Sequence, residues 1–521
     1  MQRRYIIIAL LLSIFFLLLL GLWAMRPALA SFVRHRTEGI LQEHFASSVQ
    51  FADFQVSFTA GLHVTVSQLV LRYHGRQDIP PLIQIAQLSI ALRPLNIVRP
   101  RPHIATVRLA GLQITLPPRE LATPPMLRAG DLRDKSPIVI DFLQTDNAKI
   151  TLLRGQSAKA PLEFLLHHLE LTNINFENPA KFTATLTNAV PKGEIEVGGV
   201  FGPWNGETPR NTFVQAQYHL RNANLATING LQGTLSSVGT FSGPLDYLAV
   251  KGSTETPDFT LGSVGNPIAL HTDFVAVVDG TNGNTYLQSV VARFLRSSLV
   301  VTGEVVDLNR DVPSRTVNLD TYSENARVED LIRLAVKTEE PVLIGLTRLQ
   351  AKIRIPEEDV DLSQRLEVSS EFRVDDGTFT KPAIQERIDS LSRKGQGQPK
   401  NDEIAQVQCE LTGAMHLEKG VIHFSGLRFS VPGAKVNLRG SYTLVGGKVD
   451  FHGNLFLDAK LSQTTTGPKA LLLKALDPFF ADRSGGSRLP IKIVGTSAHP
   501  QFGLDRGHND RVASHATQTS P

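Results

Sequence analysis

The sequence predicts a mainly β protein that has an N-terminal transmembrane helix, a long antiparallel sheet and a few short helices. Three observations support this fold class. An apolar run at residues 5–24 opens the chain, and no comparable run follows it. Apolar and polar residues then alternate with a period of two in several segments, which is typical of strands with one apolar face. Gly and Pro are abundant, at 40 and 30 residues, which suits many short strands joined by turns.

The composition of the 521-residue chain excludes some classes of protein. The formal net charge is only +4, and no dense block of Lys and Arg lies beyond the N-terminus, so nucleic acid is not an expected partner. Cys409 is the only cysteine, which rules out an intrachain disulfide. An exported protein without disulfides fits a bacterial envelope better than a small extracellular scaffold.

The N-terminal run has two interpretations. At about 1.5 Å per residue it is long enough to cross the roughly 30 Å hydrocarbon core of a bilayer. Arg3 and Arg4 before it, and the A-x-A pattern at residues 28–30 (ALA), also fit a cleaved signal peptide. The run is longer than the roughly 7–15 apolar residues of a signal peptide, so we expect an uncleaved anchor over residues 1–25. Both interpretations export the rest of the chain, and we expect residues 26–50 to form a juxtamembrane helix.

The first strand signals come directly after this helix. Residues 55–67 alternate strictly, which predicts one long strand whose apolar side chains share a face. Those side chains are Val56, Phe58, Leu62, Val64 and Val66. A second strand begins at residue 107, and its apolar phase shifts by one residue at Gly111, which indicates a β-bulge.

The middle of the chain carries short strand-like runs at residues 234–261 and 268–278, separated by turn residues. Residues 279–284 are rich in Asp, Asn and Gly and predict a hairpin turn rather than a calcium loop, because their register does not fit a calcium site. Helical patterns are few. They cover residues 327–336, 382–392 and 468–480.

The most regular alternation lies near the C-terminus, where three strands are predicted with one apolar face each. Gly446 and Gly447 predict a tight turn between the last two of these strands. The polar tail at residues 506–521 is expected to be disordered. The apolar side chains of the three strands are Leu411, Met415 and Leu417, then Val436, Leu438, Tyr442 and Leu444, then Val449, Phe451, Leu455, Leu457 and Leu461.

No catalytic or metal-binding motif is present in the sequence, so we expect neither an enzyme nor a bound cofactor. His167, His168 and Glu170 are the best metal-like group, but neighbouring residues of a strand point to opposite faces, so ordinary surface histidines are expected. Cys409 falls on an apolar position of an alternating strand pattern and is expected to be buried and inert. The acidic residues 357–361 and the polar residues 393–402 are interpreted as solvated loops.

The predicted apolar face leaves two alternatives open. It is either the core of a β-sandwich or the floor of a groove that holds lipid tails, and periodicity does not separate them. Gly413, Gly440 and Gly453 on the apolar parity fit a floor with free space, but they also fit bends or bulges. Residues 468–480 are expected to pack on the sheet. The alternatives are that they cap the groove or touch a membrane.

Several segments resemble the AsmA-like family of bacterial envelope proteins. Near the start these are residues 61–64 (GLHV), 80–86 (PPLIQIA) and 107–112 (VRLAGL). Further along they are residues 391–397 (LSRKGQG), 489–496 (LPIKIVGT) and 500–505 (PQFGLD). The resemblance rests on the order of these segments and on their coverage, from the apolar run to about residue 505.

The resemblance implies both a location and a function. It implies a single-pass anchor in the bacterial inner membrane, a periplasmic body and kinship with bridge-like lipid-transfer proteins. An elongated, curved sheet then forms an apolar trough across two AsmA-like β regions, residues 51–245 and 246–505. The implied function is phospholipid movement toward the outer membrane, with phospholipids, the inner membrane and outer-membrane or periplasmic proteins as partners. The main alternative is an assembly factor for outer-membrane proteins whose apolar face is only a core.

Overall fold

A computed structural model of the chain describes residues 49–50, 52–57, 62–72, 77, 80–81, 83–92, 103–116, 139–152, 162–175, 177–188, 190–203, 209–228, 230–262, 265–280, 282–306, 315–356, 362–497 and 499–505. The predicted membrane helix at residues 5–24 lies outside these residues, as do the acidic segment 357–361, the tail 506–521 and residues 26–48 of the predicted juxtamembrane helix. The end of that predicted helix is wrong, because residues 49–50 form a strand. Among the helices that the described residues form, none is long and apolar enough to cross a membrane.

The prediction of a mainly β protein is confirmed. The described strands, 26 in number, belong to one long and largely antiparallel sheet. The chain divides into two compact units. Unit 1 comprises residues 1–224, 235–252 and 277–283, and unit 2 comprises residues 225–234, 253–276 and 284–521.

Unit 1 contains the first part of the sheet. Its strands pair antiparallel with their neighbours, except that β5 and β6 both run parallel to β7. The strands of unit 1 are β1 (Val49–Gln50), β2 (Asp53–Ser57), β3 (Leu62–Leu71), β4 (Ile83–Leu92), β5 (His103–Ala110), β6 (Gln113–Leu116), β7 (Val139–Leu152), β8 (Leu162–Ile174), β9 (Ala180–Asn188), β10 (Lys192–Phe201) and β11 (Phe213–Asn224).

Unit 2 contains a run of strands from β16 to β26, in which each strand pairs antiparallel with the next strand along the chain. Its strands are β12 (Leu231–Gln232), β16 (Thr285–Phe294), β17 (Ser297–Val306), β18 (Thr316–Arg327), β19 (Leu343–Ile355), β20 (Glu367–Phe379), β21 (Cys409–Glu418), β22 (Val421–Val431), β23 (Ala434–Thr443), β24 (Lys448–Leu457), β25 (Ser487–Thr496) and β26 (Pro500–Leu504).

The remaining strands have residues in both units: β13 (Thr234–Pro244), β14 (Leu248–Leu261) and β15 (Ile268–Val278). The α-helices of the described chain all lie in unit 2: α1 (Val328–Ala335), α2 (Leu362–Arg365), α3 (Pro382–Gly395) and α4 (Pro468–Lys474). Three of them fall on the predicted helical patterns. The third pattern, at residues 468–480, forms α4 followed by a short 3₁₀ helix (Asp477–Phe479) rather than one continuous helix.

The prediction of one long strand at residues 55–67 is wrong. The structure has two strands, β2 and β3, which pair so that Val56 lies opposite Val64 and Phe54 lies opposite Val66. These partners share a parity in the sequence, so the alternation continues across the connection as if the strand were unbroken. Periodicity therefore identified the shared face but could not detect the reversal of direction.

The predicted bulge at Gly111 is wrong, because no residue is inserted there: across it, β5 and β6 keep one register against β4 and one against β7. Gly111 has a φ of +64° and separates β5 from β6, and the apolar phase shifts to Leu112, which is buried. Lys149 of β7 donates from its backbone to the carbonyl of Leu112, which holds the shifted phase against the neighbouring strand. The apolar phase therefore changes at a glycine with a positive φ and not at an inserted residue.

Two predicted strand ends were wrong. Strand β23 ends at Thr443, so Leu444 lies in the turn that precedes β24, and its backbone donates to the carbonyl of Gly420. Strand β24 ends at Leu457, and Leu461 begins a 3₁₀ helix (Leu461–Thr464). The alternation continues past both ends only by coincidence of composition, because no neighbouring strand is paired there.

Candidate functional site

Apolar side chains of unit 2 form rows that run across neighbouring strands. Leu417 of β21 lies opposite Ile422 of β22, which lies opposite Tyr442 of β23, which lies opposite Val449 of β24. Residues that face each other across antiparallel strands project their side chains from the same face of the sheet. We call the face that carries these rows the apolar face.

A second row lies beside the first and is rich in aromatic residues. Met415, Phe424, Gly440, Phe451 and Ile493 face each other in turn from β21 to β25. The rings of Phe424 and Phe451 approach to 5.6 Å between centroids, in a tilted arrangement, across the glycine that separates them in the row. The two rings therefore close the gap in the row at β23, where Gly440 has no side chain.

Most of the residues predicted from the late strands lie on this face. Placed on it by strand register are Leu411, Met415, Leu417, Val436, Leu438, Tyr442, Val449, Phe451, Leu455 and Leu457. Leu444 and Leu461 do not belong to it, because both lie beyond the ends of their strands. The sequence reasoning thus identified the face from three strands but assigned two residues too many.

The sequence reasoning missed residues of the same face on β20, β22 and β25. In β22 the pairing register shifts between Phe424 and Leu427, which moves the apolar phase by one residue and breaks the alternation. Ser425 and Gly426 at that shift were the available signal. The missed residues are Phe372 and Val374, then Ile422, Phe424, Leu427 and Phe429, then Leu489, Ile491 and Ile493.

One end of the apolar face is covered by helices. Val374 and Cys409 are only 1% and 2% exposed there. Val328 and Ile332 of α1 and Ile388 of α3 pack against this cluster. We call this region the covered end, and its buried residues are Leu343, Val374, Cys409, Val431, Ala434 and Leu457.

Helix α3 is fixed over the covered end by a buried polar network. The carboxylate of Asp389 accepts hydrogen bonds from the backbone amides of Gln406 and Val407, at 3.0 and 2.9 Å, and from the side chain of Gln385 at 2.8 Å. Gln385 also donates to the carbonyl of Val407 and accepts from the amide of Phe379. Every polar group of this network is paired, which holds the helix in one position on the sheet.

The interpretation of residues 393–402 as a solvated loop is wrong at its beginning. Arg393 and Lys394 continue α3, and the Arg393 side chain, only 11% exposed, bonds to the carbonyl of Ile404 and to Glu386. Gly395 is buried against Gly433, where a Cβ would overlap the Gly433 carbonyl. The lack of an apolar period concealed this packing, because the side chains that make it are polar.

Helix α1 is fastened to the sheet by two buried carboxylates in its first turn. Glu329 accepts from Nη2 of Arg296 at 2.7 Å and from the amide of Gly345 at 3.1 Å. Asp330 accepts from the hydroxyl of Ser297 at 2.7 Å and from the amide of Arg296 at 3.0 Å. Carboxylates at a helix N-terminus also interact favourably with the helix dipole. The covered end is therefore held closed by specific contacts.

Most of the rest of the apolar face is only half-buried, although Leu417 at its edge is buried. Met415, Leu438 and Phe451 lie in the middle of their strands, between paired neighbours on both sides, and still retain solvent exposure. A second sheet packed on this face would bury central side chains of this kind almost completely. Within the described part of unit 2, the helices that pack on the face do so at the covered end. We call this region the open part, and its residues are Met415, Phe424, Leu438, Phe451, Ile491 and Ile493.

The glycines on the apolar face do not leave free space. A Cβ at Gly440 would overlap the carbonyl of Asp450, and one at Gly453 would overlap the carbonyl of Asn437. A Cβ at Gly413 would lie 2.8 Å from the ring of Phe372. These glycines therefore permit close approach of neighbouring atoms, and the interpretation of a floor with free space is wrong.

The opposite face of the same strands is polar. His416, His423, Ser441 and Asp450 face each other across β21 to β24, and Ser369 bonds to His416 at 2.9 Å. Among the residues that the structure describes, no His, Cys, Asp and Glu side chains are grouped to hold a metal ion. This face supplies a solvated exterior to the apolar one.

His452 on the polar face connects two strands of unit 2. Its Nδ1 lies 2.7 Å from Asp505, which follows β26, and its Nε2 lies 3.1 Å from Asp450. The hydrogen bond with Asp505, together with that of Asp450, raises the pKa of His452 above its ordinary value, although partial burial opposes the rise. The contact fastens the end of the C-terminal strand to β24.

The histidines of β8 in unit 1 do not converge on a shared ligand. The pairing register shifts between Leu166 and His168. His167 bonds to the hydroxyl of Thr187 at 2.7 Å, whereas His168 lies between Asp146 and Glu170. The hydrogen bond with Asp146 raises the pKa of His168. These contacts are those of solvated sheet residues.

The predicted residues of unit 1 that can be placed also lie on an apolar face. Val56 lies opposite Val64, which lies opposite Ile90, which lies opposite Val107. Val66 is buried in the neighbouring row. Phe58 and the side chain of Leu62 lie outside what the structure describes. The buried core of unit 1 is formed by Ile85, Leu112, Ala148, Leu166 and Ala184.

Cys409 is buried at the covered end, and burial raises the pKa of its thiol to about 11. A thiol of this kind is a poor nucleophile at neutral pH, because only the thiolate reacts. The residue therefore packs as a small apolar side chain.

Residues 461–480 leave the sheet between β24 and β25. Leu461, Leu473 and Phe480 are half-buried, but Leu471, Leu472 and other large apolar side chains of this segment are exposed to solvent. The expectation that the whole segment packs on the sheet is therefore wrong for the exposed residues.

No model of a known protein family matches this chain, and no curated protein matches it either.

Proposed function

We propose that this chain is a single-pass inner-membrane protein of the bacterial envelope whose periplasmic body guides phospholipids toward the outer membrane along its apolar face. The observation that carries the proposal is the half-buried state of the open part. Rows of apolar side chains cross β21 to β25 there without a covering layer in the described part of unit 2. Such a surface is stabilised by an apolar ligand.

The length of a row fits the length of an acyl chain. From Met415 on β21 to Ile493 on β25, strands spaced about 4.8 Å apart span on the order of 19 Å. One leaflet of a hydrocarbon core of roughly 30 Å is about 15 Å deep. An extended acyl chain can therefore lie along a single row and remain in apolar contact throughout.

The energetic role of the face is to replace the membrane interior. Exposing an acyl chain to water costs about 0.8 kcal/mol for each CH₂ group. An apolar surface that accompanies the chain lowers this barrier and requires neither a catalytic base nor a metal. The polar headgroup can stay in water while the tails lie on the face, so solvated neighbouring residues are compatible with this role.

The resemblance to the AsmA-like family supports the location and the direction of the proposal. In that family an inner-membrane anchor precedes a β trough, and here the apolar run at residues 5–24 precedes the strands. We propose that the elongated, curved trough of that family is the form of this chain as well. The role would support outer-membrane integrity.

The rival function is an assembly factor whose apolar face is only a core. A core would be expected to bury its central side chains, as the covered end does at Val374 and Cys409. Met415, Leu438 and Phe451 are not buried in this way. The contrast within one unit favours carriage of an apolar ligand over a purely structural role.

A lipid-transfer assay tests the proposal. The full chain is reconstituted in donor vesicles, and the movement of a fluorescent phospholipid to acceptor vesicles is measured. Leu438→Asp places a charge on the open part and is expected to slow transfer about tenfold or more, because an unpaired carboxylate there disfavours acyl chains. Asn437→Asp is the matched control, since Asn437 is adjacent, exposed and on the polar face. Transfer by Leu438→Asp at the wild-type rate would contradict the proposal.

A further inference from the structure

A group of large apolar side chains projects into solvent from residues 461–480, which leave the sheet between β24 and β25. We call these residues the excursion. Leu471 and Leu472 of α4 are each 74% exposed, and Phe479 in the following 3₁₀ helix is 82% exposed. Leu476 between them is exposed as well. Single exposed leucines are common on protein surfaces, but several large apolar side chains exposed within one short segment are typical of an interaction surface. We call residues 471–479 the exposed apolar segment.

The exposed apolar segment is firmly attached to the rest of unit 2. The carboxylate of Asp477 accepts hydrogen bonds from the hydroxyl and the amide of Ser462, at 2.6 and 2.8 Å, and the hydroxyl bond lowers the pKa of Asp477. The amide of Arg488 donates to the carbonyl of Phe480 at 2.7 Å. The exposure of the apolar side chains is therefore imposed by a fixed backbone arrangement.

The base of the excursion lies beside the covered end of the apolar face. The amide of Asp458 donates to the carbonyl of Gly433, and the amide of Ala459 donates to the carbonyl of Gly395 at the end of α3. The hydroxyl of Ser487 donates a hydrogen bond to the carbonyl of Ala459 at 3.1 Å. The excursion thus emerges where the rows of apolar side chains meet the helices.

The charges around the segment are mainly positive. Lys469 and Lys474 are exposed and flank Leu471 and Leu472 on the same short helix. The one acidic residue within the segment, Asp477, keeps its negative charge and accepts hydrogen bonds from Ser462, so the two lysines outnumber it. Apolar side chains bordered by lysines are the arrangement by which short amphipathic segments enter the interface of an anionic bilayer.

We propose that the exposed apolar segment docks on the surface of an anionic phospholipid bilayer. The leucines and Phe479 enter the boundary between headgroups and acyl chains, and Lys469 and Lys474 contact the anionic headgroups. This inference rests on the proposed function for its purpose, because docking brings a membrane next to the end of a lipid-carrying face. The exposed side chains and the lysines that support docking belong to the segment itself and do not depend on the proposed function.

Site-specific fluorescence tests the insertion directly. Leu472→Cys is labelled with an environment-sensitive dye in the full chain, which is held in neutral-lipid nanodiscs. Native Cys409 does not compete for the label, because it is only 2% exposed. Vesicles of phosphatidylglycerol and phosphatidylcholine are expected to shift the emission to shorter wavelength and to increase it. The matched control is Val445→Cys, which is expected to show no change. Val445 is an apolar residue at the turn before β24 and is even more exposed than Leu472.

Substitution tests the contribution of the side chains. The double variant Leu471→Asp and Leu472→Asp is expected to lower binding of these vesicles about tenfold or more, because the burial of two leucines is lost. Val445→Asp is expected to leave binding unchanged. Should the double variant fail to fold, the variant Lys469→Gln and Lys474→Gln supplies the second test, with weaker binding to anionic vesicles and unchanged binding to phosphatidylcholine alone.

Two results would overturn the docking proposal. One is an unchanged emission at position 472 in the presence of vesicles. The other is an emission shift that appears without vesicles and grows with protein concentration, which would identify a second copy of the chain as the occupant. Lipid crosslinking at Leu438 separates this proposal from the proposed function. Docking without crosslinking would contradict lipid carriage alone, and crosslinking without docking would contradict this inference alone.

Discussion

At the scale of single residues, glycine determines how closely the strands of the apolar face approach each other. Gly440 and Gly453 each lie where a Cβ would overlap a carbonyl of the neighbouring strand. The sequence placed both on the apolar parity, but it could not distinguish a close backbone approach from free space. That distinction depends on the position of the neighbouring strand, which no local pattern contains.

Alanine at these positions is therefore expected to destabilise unit 2. Gly440→Ala and Gly453→Ala should each lower the free energy of unfolding by about 1–3 kcal/mol, because the added methyl group forces the strands apart. Gly426→Ala is the matched control on β22, since a Cβ there meets nothing within 4 Å. Urea denaturation measures the three variants. Equal stability of Gly440→Ala and Gly426→Ala would contradict the close approach.

His452 gives the C-terminal strand a dependence on pH. Asp505 and Asp450 raise its pKa in the folded chain, so the protonated form is favoured on folding. The stability from this contact is complete below the ordinary value of 6.5 and is lost as the pH rises through the raised value. Arg439 and Lys492 lie opposite His452 on the neighbouring strands.

The pH dependence is measured as a difference between two chains. The wild type is expected to lose more stability than His452→Gln as the pH rises above 6.5, because only the wild type loses a proton from this site. Using the difference removes the contributions of His168 and His271, whose pKa values are raised in the same direction by their carboxylate neighbours. Parallel pH profiles for the two chains would show that the contact contributes nothing.

At the scale of elements, helix α3 decides where the apolar face is covered. Its helical pattern was predictable from residues 382–392, but its position over the sheet was not, because that position depends on polar groups. Asp389 and Gln385 bond to backbone atoms far along the chain. Such contacts have no periodic signature in the sequence. The structure alone therefore shows which part of the face is closed.

Loss of the Asp389 carboxylate is expected to release α3 from the covered end. Asp389→Ala leaves buried amides of Gln406 and Val407 without an acceptor and should cost about 2–4 kcal/mol. Arg387→Ala is the matched control on the same helix, because Arg387 is exposed to solvent. That substitution should cost under about 1 kcal/mol. Hydrogen exchange over residues 382–395 reports the release, and unchanged protection in Asp389→Ala would refute this role.

Strands were predictable to the extent that their alternation was unbroken. Strands β21, β23 and β24 were identified from parity, whereas β22 was missed because its phase shifts between Phe424 and Leu427. The pair β2 and β3 was taken for one strand, because Val56 and Val64 keep the same parity across the connection. The change of apolar phase at Gly111 was visible because a glycine marked it, but it is not the β-bulge that the sequence suggested. A change in the phase of the alternation can be predicted from the sequence only where a residue such as glycine marks its position.

At the scale of the whole molecule, the sequence predicted a long antiparallel sheet with a single apolar face. It could not decide whether that face was core or groove, because burial depends on what lies above the sheet. The structure describes a covered end and an open part within unit 2. The two parts use the same residue types, so composition could not have separated them. Lipid carriage is our interpretation of the open part.

Photo-crosslinking tests lipid carriage most directly. A photoreactive amino acid is placed at Leu438 on the open part and, in a second chain, at neighbouring Asn437 on the polar face. A third chain carries it at Leu457, which is buried at the covered end. Each full chain is irradiated in cells and analysed for phospholipid adducts. We expect adducts at Leu438 but not at Asn437 or Leu457. The absence of adducts at all three positions, or equal adducts at Leu438 and Asn437, would contradict the account.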